Sequence, residues 1–196
     1  FSPYITCTSS YLIYSTMTYK LPSPHNKGNA MMSFLKILVV VIAGLAVAVL
    51  VAVQAGVLRG AAPTDLGVKN GQLKPPANSP NSVSSQASLH ANHPFRAYAD
   101  IAPLAYTGDG EAAFERAAAV VKAMPGTTVV DEKPGSGYLY AQCQTHWLKF
   151  TDDLELLLDK SARVIHVRSA SRIGRGDMGV NRQRIEAVRA AVAASP

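Results

Sequence analysis

Hydrophobic and polar positions divide this chain into stretches of different character. Ile37 to Val53 carries no polar side chain, and once Gln54 is crossed the apolar stretch runs to Leu58. As a helix rising about 1.5 Å per residue it covers about 33 Å, against a bilayer hydrocarbon core of about 30 Å. A helix that is apolar all round needs lipid or a surrounding protein layer, and the rest of this chain is too short to supply that layer. Residues 34–59, bounded by Lys36 and Arg59, therefore read as a transmembrane signal anchor. Val53-Gln54-Ala55 offers the small residues a signal peptidase accepts, so a cleaved signal peptide stays open as the alternative. The amino end is taken as cytoplasmic and the following domain as exported. Met31-Met32-Ser33-Phe34-Leu35-Lys36 reads as a natural start for an export segment, and residues 1–30 as an irregular extension from an over-extended reading frame.

From Gly60 to Pro94 the composition turns to Pro, Ser, Asn, Gly and Gln with no apolar period, which predicts a linker or irregular arm. Periodicity returns over residues 95–196. Ile101 to Tyr106 predicts a short strand. Glu111 to Met124 places Phe114, Ala117, Ala118, Val121 and Met124 at helical spacing, ahead of a Pro125-Gly126 stop. Thr127–Glu132, Tyr138–Thr145, Trp147–Leu158 and Arg163–Ser171 read as strands with short connections, hence an antiparallel meander. A last helix, Val180 to Ala194, turns Ile185, Val188, Ala191 and Val192 to one side and Arg182, Glu186 and Arg189 to the other. The pattern predicts an α+β domain, an antiparallel β-meander of 4 to 5 strands with two helices on one face, preceded by the transmembrane helix.

Charge narrows the function classes. The chain has 19 Lys and Arg against 13 Asp and Glu, a formal +6. Lys20, Lys27, Lys36 and Arg59 precede residue 60 with no acid beside them, which leaves only +2 on residues 60–196. The folded part has no basic footprint for nucleic acid. Cys7 and Cys143 are the two cysteines, too few for a four-ligand zinc site or a disulfide framework. Cys143 lies among apolar and aromatic neighbours and reads as a small buried hydrophobe. His90 and His93 lack a nearby carboxylate or cysteine, so neither a metal nor any other cofactor is expected. Arg175-Gly176-Asp177 spells an adhesion tripeptide that chance explains.

Strand parity yields the candidate chemistry. In FTDDLELLLD, Phe150, Asp152, Leu154, Leu156 and Leu158 share a face and Asp153, Glu155 and Leu157 the other. A two-residue turn at Lys160-Ser161 sets Asp153 opposite Arg168, Glu155 opposite His166 and Leu154 opposite Val167. Those charges then lie on an exposed face, each pair worth under about 1 kcal/mol. Asp152 instead falls on the core face, opposite Ser169 and near Ser171, where a carboxylate must be paired. Arg172 and the amides of residues 173–179 are its expected partners. One reading is a structural staple. The other is a polar cluster of Asp152, Ser169, Ser171, Arg172, Asp177, Asn181 and Arg182, with Asp152 as acid or base and Arg172 or Arg182 fixing an anion. No Ser-His-Asp order, phosphate loop or zinc-protease helix accompanies it, so no catalytic residue is assigned.

LGVKNGQLKPPANSPNSVSSQA, then FTDDLELLLD, then IHVRSASRIGRGDMGVNRQRIEAVR resembles the bacterial and plastid family catalogued as domain of unknown function family 1499, in order from Leu66 to Ala191. The string Arg-Ser-Ala-Ser-Arg-x-Gly-x-x-Asp-x-Gly-x-Asn-Arg is its distinctive part. The resemblance implies no activity. It also implies a cysteine on each side of the Asn-Ser-Pro-Asn core, where this chain has Pro76 and Ser82; joint loss is what a disulfide partnership predicts. Together these readings predict a non-enzymatic, membrane-anchored binding or assembly module of the bacterial envelope. It is held in the inner membrane through residues 37–58, its domain faces the periplasm or cell exterior, and its partner is an envelope protein or a small ligand. The rivals are a small hydrolase or transferase using Asp152 with Arg172 or Arg182, and a helix-grip-like carrier of an apolar ligand between sheet and helix.

Overall fold

A computed structural model describes residues 24–133 and 135–194. Most of the expected extension, with Cys7, lies outside the described residues. The chain divides into two units, one ending at Val47 and the other Ala48–Pro196.

Helix α1 (Pro24–Gln54) begins before the expected start and is one uninterrupted helix. Residues 28–51 are exposed, apolar side chains included. By length and composition Gly28–Gln54 is a candidate membrane span. The helix ends at Gln54, short of the expected Leu58. Ala55, Gly56 and Val57 donate backwards to Val51, Val53 and Ala52 in successive turns.

In the second unit the elements are β1 (Ser82–Ser84), α2 (Arg96–Ala99), β2 (Leu104–Ala105), α3 (Gly110–Ala123), β3 (Thr127–Glu132), β4 (Tyr138–Gln144), β5 (Thr151–Asp159), β6 (Val164–Ser171) and α4 (Val180–Ala194). The antiparallel sheet has the order β1-β6-β5-β4-β3, with β2 also paired to β6. The consecutive strands β3 to β6 are the expected meander. Helix α3 starts at an Asp109 cap whose carboxylate accepts from the Ala112 amide. Phe114, Ala117, Ala118 and Val121 from α3, with Ile185 and Val188 from α4, close over Leu139, Leu154, Leu156, Ile165 and Val167 of the sheet. Ala191, expected on the buried stripe of α4, is exposed.

Three expectations change. The Pro/Ser/Asn-rich stretch is built into the sheet: β1 pairs with β6 through Ser82↔Ala170, Val83↔Ser169 and Ser84↔Arg168. A three-residue strand has no readable period, and its neighbour β6 creates it. Next, β5 begins at Thr151, because the Thr145 amide donates to the Phe150 carbonyl and closes a loop that leaves Trp147 outside the sheet. Gly126 at the same end has φ +73°, and a Cβ there would stand 2.3 Å from the Gln144 carbonyl oxygen, so the turn before β3 requires glycine.

The third change is the β5–β6 register. Asp153 faces Ala170, Leu154 faces Ser169, Glu155 faces Arg168 and Leu157 faces His166. This differs by two residues from the expected pairing because the connection is a four-residue loop, 160–163. Asp159 accepts from Ser161 Oγ at 2.6 Å and the Ala162 amide at 2.9 Å, and Arg163 closes the loop at φ +54°. An even shift preserves parity, so Leu154 and Leu156 stay in the core. A one-residue slip would expose both, at about 1.5–3 kcal/mol per leucine. The charges do not lie on an exposed face, since Asp153, Glu155 and Arg168 are all buried.

Candidate functional site

The polar side chains of the sheet separate into two clusters, one on each face. On the helix-covered face, Asp152 pairs across the ladder with Ser171 of β6 and Cys143 of β4. It is buried as expected, but its partner is Arg184 of α4, whose Nη2 donates to Asp152 Oδ2 at 2.5 Å. Neither Arg172 nor an amide of residues 173–179 takes that role. Arg184 Nη1 also donates to Ser169 Oγ at 2.9 Å and Asn181 Oδ1 at 2.8 Å, while Ser169 Oγ donates to Asn181 Oδ1 at 2.6 Å. Asn181 Nδ2 reaches the Asn81 carbonyl at 3.0 Å, Ser171 Oγ at 3.0 Å and Asp177 Oδ2 at 2.8 Å. The fully buried Asn181 thus joins α4 to β6 and to the residue preceding β1.

Asp177 precedes α4 and caps it. Its carboxylate accepts from the Gly179 amide at 3.0 Å, the Asn181 amide at 3.1 Å and the Tyr98 hydroxyl. Burial alone would raise its pKa, but these donors outweigh burial and hold the carboxyl below the usual carboxylate value. The Tyr98 hydroxyl is pushed up by burial and by its bond to Asp177. A buried capping Asp177 is not available as the acid of an adhesion tripeptide.

A depressed folded pKa adds stability that is fully present above the unfolded carboxylate value of about 4 and is lost as pH falls through the folded value. Asp177→Asn is therefore expected to cost about 1–3 kcal/mol at neutral pH. The gap to wild type should narrow as pH falls below the unfolded value of about 4 and through the lower folded one. Denaturant unfolding at neutral pH and in acid checks this, and an equal cost in both would contradict it.

The other expected members of the cluster lie elsewhere. Residue 172 follows Ser171, so its side chain turns to the opposite face. Arg172 Nε bonds Asp153 at 3.0 and 3.1 Å and its Nη2 bonds Asp153 Oδ1 at 2.8 Å and the Tyr140 hydroxyl at 3.1 Å. The Asp153 contact raises the guanidinium pKa further, and burial with the Asp153 bond pushes the Tyr140 phenol up. Arg182 donates to the Tyr98 and Asp100 carbonyls at 2.7 and 2.8 Å. Of the seven candidates, Asp152, Ser169, Ser171, Asp177 and Asn181 come together, whereas Arg172 and Arg182 do not.

Arg184 was missed, although it lies three residues after Asn181 and one before Ile185, on the inward stripe of α4. Also missed was the second cluster. Glu155, 0% exposed, accepts from Arg168 Nη1 at 3.3 Å, the Tyr138 hydroxyl at 2.8 Å and the Gly67 amide of the arm at 3.0 Å. Arg168, 4% exposed, leaves its Nε without a partner. Arg168 and Arg172 border a cleft of about 310 Å³ that the arm lines with Pro63, Leu66, Lys74 and Asn78.

Asp152 and Ser171 also line a cleft of about 330 Å³ at the sheet's end, walled mainly by Phe150, Ile173, Met178 and Val180. It is apolar apart from its floor, unlike the polar pocket that the catalytic reading requires. Cys143 is buried, which pushes its thiol pKa up and away from the reactive thiolate. His93 Nδ1 accepts from the Phe95 amide at 3.2 Å. Among the described residues no three His, Cys, Asp or Glu side chains cluster as metal ligands would.

A family model described as protein of unknown function (DUF1499) matches residues 72–192, which takes in β1, the whole meander and both packing helices. No curated protein and no solved structure matches the chain.

Proposed function

The chain belongs to the DUF1499 family of proteins of unknown function, and from that premise we propose that it is a membrane-anchored, non-enzymatic binding or assembly module of the bacterial envelope. The observation that carries the anchor is Gly28–Gln54, long and apolar enough to cross a membrane and exposed on every side over residues 28–51. In water each large side chain there forgoes about 1.5–3 kcal/mol of burial, a deficit lipid removes. The anchor lies in the inner membrane, with the domain on the periplasmic or outer side.

The arrangement of the acids supports a binding module over a hydrolase or transferase. The buried Asp152, Asp153 and Glu155 each pair with a guanidinium, and the two arginines a catalytic Asp152 would need, Arg172 and Arg182, are held by other partners. The helix-grip carrier fares less well on packing. Leu154, Leu156, Ile165, Val121, Ile185 and Val188, none more than 1% exposed, pack the centre between sheet and helices, and the cleft of about 360 Å³ left at its edge between β2, α3 and α4 is bordered by Arg116 and Arg189.

Expression of the full chain with a carboxy-terminal tag in a bacterium tests this reading. The protein is expected in the membrane pellet after alkaline carbonate washing, at full mass, with the tagged domain digested by protease in spheroplasts but not in intact cells. A full-length soluble protein, or a chain shortened near Ala55 and free in the periplasm, would overturn the anchor. Protection in spheroplasts would overturn the orientation.

A further inference from the structure

Two loops leave the same end of the sheet, because Gln144 pairs with Thr151 and Asp152 with Ser171. They are residues 145–150 and 172–179, and both present apolar side chains to solvent. Trp147 is 76% exposed and Met178 94%, with Leu148 and Val180 exposed beside them. Neither loop is loosely held. The Phe150 amide donates to Thr145 Oγ1, Asp177 caps the turn that carries Met178, and Met178 itself sits at φ +50°. The apolar cleft bounded by Phe150, Ile173 and Val180 lies between them. Among the described residues, the loops at the opposite end of the sheet carry Lys133, Ser136, Lys160 and Ser161, with no exposed large apolar side chain to match Trp147 or Met178.

The chain leaving α1 arrives at this same end. A Cβ on Gly60 would stand 2.7 Å from Arg172 Cβ and Ile173 Cγ2. Residues 55–59 alone separate Gly60 from Gln54, and even fully extended they span no more than about 20 Å. Their turns, with Arg59 donating to the Gly56 carbonyl, shorten that reach.

We propose that loops 145–150 and 172–179 form a second membrane contact, in which Trp147, Leu148 and Met178 enter the headgroup region of the bilayer and Lys149 and Arg175 meet anionic lipid. The inference rests on the anchoring proposed above. Tryptophan favours the membrane interface, where its ring is buried and its N–H stays wet. Lys149 and Arg175 have no ion-pair partner among the described residues, and the one acid within the two loops, Asp177, is buried and fully bonded. A free surface carrying these apolar groups beside unpaired cations complements anionic lipid.

Trp147 is the chain's one tryptophan, so its fluorescence reports the site directly. The full chain is reconstituted into phosphatidylcholine–phosphatidylglycerol vesicles whose acyl chains carry bromine near the headgroup. Emission is expected to fall about twofold or more relative to unbrominated vesicles, with weak quenching by aqueous acrylamide. Lys149→Glu with Arg175→Glu should reduce the bromine quenching while the protein still floats with the vesicles. Flotation with full acrylamide quenching and no bromine effect overturns the contact and leaves the anchor standing. Protection from both quenchers assigns the surface to a protein partner or a second copy and also overturns it. An unchanged charge variant removes the headgroup role. Failure to float defeats the anchor and the inference with it.

Discussion

Arg184→Met is expected to lower unfolding stability by about 3–5 kcal/mol. Methionine replaces the apolar stem of Arg184 but leaves Asp152 as a carboxylate buried against β4 and α4 with no countercharge. It also takes a donor from Ser169 and Asn181. The cost comes mainly from stranding the acid, since a buried ion pair taken whole contributes little net stability. Adding Asp152→Asn to Arg184→Met should therefore recover part of the loss. Denaturant unfolding of the full chain in detergent, followed by sheet circular dichroism, measures both. Faster amide exchange across Val180–Ala194 would locate the loosened element.

Arg168→Met should cost a similar amount, about 3–5 kcal/mol, for the matching reason on the other face. Glu155 would lose its one guanidinium, and the Tyr138 hydroxyl and Gly67 amide alone cannot hold the buried charge in place, so the bond to Gly67 is weakened as the acid is drawn toward water. Gly67 belongs to the arm, so this variant should also free residues 61–78 to proteolysis at a rate that Arg184→Met does not reach. Equal arm protection in the two variants would mean that the Glu155 cluster does not hold the arm.

The meander and its two helices were legible because Leu154, Leu156, Val121, Ile185 and Val188 impose periods of two and about 3.6 that only one packing satisfies. Parity also carried the burial of Asp152. Its partner was mistaken by treating Arg172 as a neighbour along the chain: counting on from Ser171 places residue 172 on the face of Asp153. The exposed-face reading of Asp153, Glu155 and Arg168 failed for a different reason. What covers them is an arm without period or propensity, held by single bonds such as Gly67 to Glu155 that no local pattern announces. The register was right in parity and two residues off in offset, because a left-handed Arg163 and the Asp159 cap make a longer loop than the shortest hairpin. The family resemblance reached across both the arm and the meander, where local patterning saw only the meander.

The measurement that bears most directly on a structural, non-catalytic Asp152 is the thermal melting of Asp152→Asn beside wild type, in the same bilayer discs, paired with the cellular phenotype of the same substitution. Asparagine keeps the shape and one acceptor but gives up the charge-assisted bond to Arg184. The account predicts a lower melting temperature, corresponding to about 1–3 kcal/mol, with any phenotype following the loss of folded protein. An unchanged melting temperature together with a lost phenotype would contradict it and make Asp152 the working group of a catalytic site.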